Sequence, residues 1–371
     1  DPNVDYFLMG EGEYRFPALL DAIAQGGPIP KDLCGVAYRG PAPVIQPPSY
    51  FIDDLDRVPF PDYGNLDFLG YANLLNKYSA QIIPRQYPFA CVSTSRGCPY
   101  QCIFCAAALQ SGKKVRMRSS QNVLAEIDQL VARYGVREII FLDDHFLHDL
   151  DRARGIMRGI LARGDGLTWK CCNLSIWSVK DDILELMKKS GSYQVTFSIE
   201  SGNAHVVRKI IKKPINLARS REIIQQARDL DFEIITNFII GTPGETWDQI
   251  RESLHYAETL AADVINIHIA TPLPKTELMD ICIREGLLTS EDDVAGYTVS
   301  AIQTNEFTGL DLQILRAYEW DRINFTDPAR GQRVGRIYGL TEEETARWRI
   351  ETRRSLGATV GWQKRFGADQ G

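Results

Sequence analysis

Thr94-Ser95-Arg96-Gly97-Cys98-Pro99-Tyr100-Gln101-Cys102-Ile103-Phe104-Cys105 follows an apolar strand signal at residues 89–94. It places three of the chain's eight cysteines within eight residues, spaced C-x3-C-x2-C. A loop that tight can aim three sulfurs at one centre, and soft thiolates select zinc, Cu(I) or an iron–sulfur cluster. A cubane usually takes four cysteines, yet the next here are Cys171 and Cys172. Three protein ligands leave one metal position open, the condition under which a metal site does chemistry. A structural zinc knuckle completed by His145 satisfies the same spacing.

Outward from this loop, strand and helix signals alternate, which argues for a parallel sheet built from βα units. Ser119 or Ser120 can cap a helix through Tyr134, with Val123, Leu124, Ile127, Leu130 and Val131 as its apolar stripe and Gly135 as its stop. Further strands are expected at residues 137–142, 168–174, 194–199, 232–240 and 264–270. Helices are expected between them at 150–163, 181–189, 204–212, 218–230 and 246–260. Six βα repeats fit an α/β fold of the partial (β/α)6 TIM-like barrel kind. A doubly wound open sheet fits the same alternation.

The chain has 371 residues, 44% hydrophobic and 24% charged, enough for one large domain and a smaller one. A net charge of −6 argues against a nucleic-acid-binding surface. No apolar run approaches the ~18 residues that span a bilayer, and no signal segment opens the chain. Clustered, unevenly spaced cysteines suit metal ligation in a reducing compartment, so a cytoplasmic protein is expected.

Residues 4–9 read as a strand, followed by Gly10-Glu11-Gly12-Glu13 and an amphipathic helix with Phe16, Leu19, Leu20 and Ile23 on one face. One strand and one helix cannot bury their own apolar faces, so this unit is expected to dock on a sheet largely absent here. Residues 41–88 carry Pro41, Pro43, Pro47, Pro48, Pro59 and Pro61 and read as a linker. Residues 310–325 and 341–356 read as helices rich in Arg, Glu and Trp.

In TIM-like barrels chemistry sits at the C-terminal strand ends. Asp143-Asp144-His145 ends the second strand, and two adjacent carboxylates there need donor partners if buried. Glu200, within Ser198-Ile199-Glu200-Ser201-Gly202, ends the fourth; a carboxylate has acceptor sites for two hydroxyls at once. The fifth strand runs into Asn237-Phe238-Ile239-Ile240-Gly241-Thr242-Pro243-Gly244-Glu245, where the glycines permit a tight turn and Glu245 suits a helix N-terminus. His145 and His148 read as surface or supporting residues.

The C-x3-C-x-aromatic-C loop after an apolar strand resembles the signature of the radical S-adenosylmethionine (SAM) superfamily. The resemblance implies that Cys98, Cys102 and Cys105 hold a 4Fe–4S cluster whose open iron takes the amino and carboxylate groups of SAM. It implies that Phe104 packs near the adenine, that Asp143, with Asp144 as second choice, accepts from the SAM amino group, and that Glu200 takes the ribose hydroxyls. Residues 237–245 are similar to the family's "G-x-I-x-G-x-P-G-E" adenine strand, with Asn237 for its first glycine, giving Ile239, Gly241, Pro243 and Glu245 as contacts. Thr271-Pro272-Leu273-Pro274-Lys275-Thr276 echoes "T-P-x-P-G-T", with Lys275 in the glycine's place.

The N-terminal stretch is similar to the closing strand and helix of the Rossmann-like cobalamin-binding domain that precedes the radical SAM domain in one subfamily. The resemblance thus divides the chain into 1–40 (remnant of that domain), 41–88 (linker), 89–290 (radical SAM core) and 291–371 (helical C-terminal region). The chain is expected to be a partial copy. The implied activity is cobalamin-dependent methyl transfer to an unactivated carbon of a small molecule, served by a reducing partner such as flavodoxin or ferredoxin. Cyclisation or rearrangement with the same cofactors is the enzymatic alternative, and a zinc-stabilised α/β binding module the non-enzymatic one.

Overall fold

The computed structural model describes residues 3–26, 28–30, 32–39, 44–45, 51–68, 70, 82–180, 182–289 and 298–366. Much of the stretch expected to be a linker, 41–88, including Pro41, Pro43, Pro47 and Pro48, lies outside the described residues.

The N-terminal unit is β1 (Tyr6–Leu8), α1 (Arg15–Ala24), β2 (Val36–Tyr38) and β3 (Val44–Ile45). Here β1 pairs with β2 and β2 with β3, both antiparallel. Of the apolar face expected on α1, Leu19 is buried, while Phe16, Leu20 and Ile23 stand exposed.

Six parallel strands follow: β4 (Phe89–Val92), β7 (Glu138–Phe141), β8 (Thr168–Cys171), β9 (Gln194–Glu200), β10 (Glu233–Ile240) and β11 (Val264–Ile269). Two parallel sheets, β4-β7-β8 and β9-β10-β11, are joined by the isolated parallel bridges Trp169↔Ser192 and Leu174↔Phe197, beside the ends of β8 and β9. The strands thus lie side by side in chain order. A doubly wound sheet reverses order at a switch point, so that alternative falls, and the α/β fold is TIM-like. Between β4 and β7 lies a short antiparallel hairpin, β5 (Ser95–Arg96) with β6 (Arg116–Met117), enclosing the cysteine loop and α2 (Ala107–Ser111).

Helices α3 (Ser120–Tyr134), α4 (Leu150–Arg163), α5 (Ile183–Lys189), α6 (Leu217–Asp229) and α7 (Trp247–Glu258) connect the strands. The predicted stripe of α3 is its packing face: Val123, Ile127 and Leu130 are buried, Ser119 caps Asn122 N and Gly135 ends the helix with φ +65°. The segment expected as a helix at 204–212 is a π-helical turn, Val206–Ile210. Parallel strands are covered on both faces, and Phe141, Trp169, Phe197 and Ile234 join the helices' Ile127, Ile156, Ile224 and Ile250 in one core.

At the N-terminal strand ends, the Lys170 ammonium donates to Gln194 Oε1 (3.0 Å), Gln194 to Glu233 (3.1 Å) and Tyr193 to Glu138 (2.6 Å). This polar plug satisfies its own charges and leaves chemistry to the opposite end.

The chain continues through α8 (Glu277–Glu285), α9 (Gly309–Phe325), α10 (Pro328–Ile337) and α11 (Glu342–Phe366). The helices expected at 310–325 and 341–356 are α9 and α11, and α8 and α10 are additional to them. Among the described residues, no helix is long and apolar enough to cross a membrane.

Candidate functional site

The cysteine loop is fixed by its backbone. Gly97 holds φ +96°, and a Cβ there would sit 2.4 Å from Lys114 O across the β5–β6 hairpin. Cys98 N donates to Gly112 O (3.1 Å), Ile103 N to Ile211 O (3.3 Å), and Leu278 N to Ile103 O (2.9 Å), with the Ile103 side chain buried. Tyr100, read only as loop, accepts a 2.8 Å hydrogen bond from the Trp177 indole and so ties the loop to the segment after β8. The Ala107 N–H points at Cys105 Sγ (3.5 Å). All eight cysteines are free thiols.

Burial pushes all three loop thiols up, Cys102 to about 12; Cys105 further raises Cys98 and Cys102, Asp144 and Glu200 raise Cys105, and the Lys213 ammonium pulls all three down. Half-buried soft donors held close together near one cation suit a metal centre that takes up thiolate charge. Among the described residues, no three His, Cys, Asp or Glu side chains are grouped about a single ion position. His145, proposed to complete the zinc site, is instead buried against the rings of Tyr100, His148 and Trp177, and burial pushes its pKa down to about 4.

The two strand-end carboxylates separate. Asp143 is buried and accepts from Thr94 N (3.0 Å), Thr94 Oγ1 (2.7 Å) and Ser95 Oγ (2.5 Å), locking the start of the cysteine loop to the end of β7. Asp143 thus has three hydrogen bonds inside the protein and is not among the residues that line the cavity Asp144 faces. Asp144 faces a cavity of about 800 Å3 with Phe104 and Cys105; its carboxyl is raised by burial and then by Asp143.

Glu200 reaches the same cavity by a backbone irregularity. The β9–β10 register shifts so that Ser198 faces Asn237 and Glu200 faces Phe238, and Glu200 takes φ +70°. Its carboxylate pairs with Lys213 Nζ (2.5 Å), which also donates to Ser198 O (2.9 Å); both side chains are nearly buried. Lys213 was missed: in Ile210-Ile211-Lys212-Lys213-Pro214 nothing marks one lysine as buried and its neighbour as exposed.

Ile239 lines the cavity, but Gly241, Pro243 and Glu245 do not. Glu245 Oε2 instead accepts from Gly241 N (2.8 Å), Thr242 N (3.1 Å) and Thr242 Oγ1 (3.2 Å), building the turn into α7. Burial pushes its carboxyl up to about 7. These three residues shape the strand end and do not form its inner surface.

Across the barrel interior, Asn266 donates to Asn237 (3.0 Å), Asn237 to Ser198 (3.2 Å) and Ser198 to Asn173 (3.0 Å). Asn237, which stands for the family's glycine, is thus the middle of a hydrogen-bonded chain on the cavity floor. The far wall comes from the C-terminal helices, through Arg316, Trp320 and Trp348.

Residues 92–257 match the Radical SAM superfamily. That part of the chain is a radical SAM domain. It is 33% identical over 288 residues to an uncharacterized methyltransferase of Pyrococcus horikoshii, covering 77% of this chain and 60% of that protein. It is 31% identical over 323 residues to the cytidylyl-2-hydroxyethylphosphonate methyltransferase of Streptomyces wedmorensis, covering 79% and 60%. The chain thus spans 60% of the length of each of these two relatives. In fold it is similar to the radical SAM methyltransferase TsrM of Kitasatospora setae, with a TM-score of 0.63 at 17% identity over 87% of this chain and 62% of that one. A radical SAM domain uses a 4Fe–4S cluster and SAM, and the thiols, Lys213 and the cavity beside them fit that requirement.

Proposed function

We propose that this chain carries the radical SAM part of a cobalamin-dependent methyltransferase acting on an unactivated carbon of a small molecule. The observation that carries the reading is one continuous cavity running from Phe104 and Cys105, past Asp144, Glu200 and Ile239, to Arg316, Trp320 and Trp348. One end suits the cofactors and the other a substrate.

Cys98, Cys102 and Cys105 would ligate the cluster. A cluster held there would supply the electron for reductive cleavage of SAM. Phe104 and Ile239 offer apolar surface for the adenine, Asp144 an acceptor for the amino group, and Glu200 acceptors for the ribose hydroxyls. Lys213 holds the Glu200 side chain in orientation through its 2.5 Å ion pair, and Asp143 holds the loop in place without touching SAM. The C-terminal helices close the cavity against water, which protects a reactive radical from side reactions.

Residues 1–40 are read as the closing part of a cobalamin-binding domain, 41–88 as the linker, 89–290 as the catalytic core and 291–371 as the substrate-side helices. Cobalamin as the methyl donor, a flavodoxin or ferredoxin as reductant and a cytoplasmic location complete the proposal. Kinship with two methyltransferases favours methyl transfer over ring formation.

The test is anaerobic purification of the full-length gene product. The expected result is a brown protein retaining a corrinoid, forming 5′-deoxyadenosine from SAM when reduced, and losing this in Cys102→Ala. A colourless protein with stoichiometric zinc overturns the radical SAM reading. A brown protein that never retains a corrinoid overturns methyl transfer alone.

A further inference from the structure

Arg316 stands on α9 with its guanidinium at the cavity wall. Its Nε donates to Ile267 O (3.0 Å), and its guanidinium carbon lies 6.0 Å from the centre of the Trp320 ring. Among the described residues, no carboxylate lies within ion-pair distance of it. Other arginines on these helices are paired: Arg322 with Glu258 (2.6 Å) and Arg349 with Asp321 (2.6 Å).

Among the described residues, the titratable neighbours His268 and Tyr338 do not supply Arg316 with a countercharge. His268 lines the same cavity, and burial followed by the Arg316 charge pushes its pKa down to about 4, so it is neutral at pH 7. Tyr338, also on the wall, is pushed up to about 12 by burial and keeps its proton. Burial likewise lowers the pKa of Arg316 itself. A partly desolvated cation without an anion costs free energy, and a planar fork of donors matches an oxyanion two bonds at a time.

We propose that Arg316 is a substrate-anchoring residue that binds an oxyanion — phosphate, phosphonate or carboxylate — on the small molecule entering this cavity. This rests on reading the cavity as the substrate site of a radical SAM enzyme. Trp320 and Trp348, whose rings meet at 4.7 Å, wall the space beside the guanidinium, so the rest of the substrate there is apolar or planar. Asn266 and Asn237 on the floor supply polar contacts to its other groups.

The test uses the full-length holoprotein and follows tryptophan fluorescence on titration with phenylphosphonate, benzoate, inorganic phosphate and benzyl alcohol. Saturable binding of the three oxyanions, with no saturation by benzyl alcohol at equal concentration, is expected; the tightest oxyanion identifies the group. Arg316→Gln, which can still donate to Ile267 O, should weaken oxyanion binding at least tenfold, and Arg316→Lys should fall between it and the wild type. Equal oxyanion affinity in wild type and Arg316→Gln overturns the assignment, as do equal binding of benzyl alcohol and absence of oxyanion binding to the wild type. If Arg316→Gln fails to fold by circular dichroism, Arg316→Lys decides: an affinity equal to or below one third of the wild type supports the fork, and an unchanged one overturns it. SAM cleavage by the wild type is scored separately. Oxyanion binding without SAM cleavage sinks the enzymatic reading and keeps the site, and the reverse outcome sinks the site alone.

Discussion

The Glu11 carboxylate accepts a 2.7 Å ion pair from Arg116, with side-chain exposures of 7% and 2%. Glu11 also caps Ile52 N (2.6 Å), and Arg116 donates to Ile52 O and Ser111 O. Beside them Glu13 pairs with Arg96. Arg96 and Arg116 face each other on the β5–β6 hairpin, so the Gly10–Glu13 turn clasps the frame of the cysteine loop. Removing one partner leaves a buried charge, which costs several kcal/mol. Arg116→Met should destabilise by roughly 3 kcal/mol in urea unfolding and lower iron content. A double-mutant cycle with Glu11→Gln should show coupling above about 1 kcal/mol; additive losses would mean that the pair is incidental.

Asp143 and Asp144 should separate cleanly by substitution. Asp143→Asn places an amide against three donors and should cost about 2–3 kcal/mol of stability. Asp144→Asn should leave stability within about 0.5 kcal/mol while raising the SAM concentration needed for half-maximal cleavage. The opposite pattern would return the SAM contact to Asp143.

Gly97→Ala tests the loop's geometry. Positive φ and a Cβ 2.4 Å from a backbone carbonyl leave no side chain that could yield. A loss of at least about 2 kcal/mol together with poor iron incorporation is expected. Normal iron content at normal stability would show that the hairpin can open.

Glu245 gives a pH dependence with a definite sign. Its folded carboxyl titrates near 7, against an unfolded value of 4.5. Between those pH values the folded state binds more protons, so wild-type stability falls as pH rises. Glu245→Gln removes this term, and its stability relative to wild type should grow by up to about 3 kcal/mol across that window. Parallel stability–pH curves for the two proteins would refute the assignment.

Lys275 holds φ +64° where the related motif has glycine. The turn is therefore the glycine turn, made by a residue that pays a steric cost of roughly 1–2 kcal/mol for a left-handed backbone. Lys275→Gly should stabilise by up to about 1 kcal/mol, the relief being partly offset by glycine's greater unfolded entropy. Thermal unfolding reads this directly, and a destabilised variant would show that the lysine side chain contributes contacts.

The six βα repeats, the caps of α3 and the three cysteines were legible because each is local: periodicity, a capping serine and a spacing along one loop. Asp144 and Ile239 were legible as residues at strand ends. Which of two adjacent aspartates faces the cavity was not, because that choice depends on Thr94 and Ser95 across the strand pair. Glu245 looked like a cofactor contact since its motif is also a good turn, and only the packed turn shows where its oxygens go. By itself the sequence determined the order of the six βα repeats, the strand-end positions of Asp144, Glu200 and Ile239, and the grouping of three soft-donor thiols, Cys98, Cys102 and Cys105, on one loop. Tertiary structure alone decided that Lys213 serves Glu200, that Glu11 holds Arg116 across 105 positions, and that Arg316 meets the cysteine loop's cavity with no carboxylate at ion-pair distance among the described residues. Those relationships join residues far apart in the chain, and burial becomes a property of a charge only when distant elements close over it.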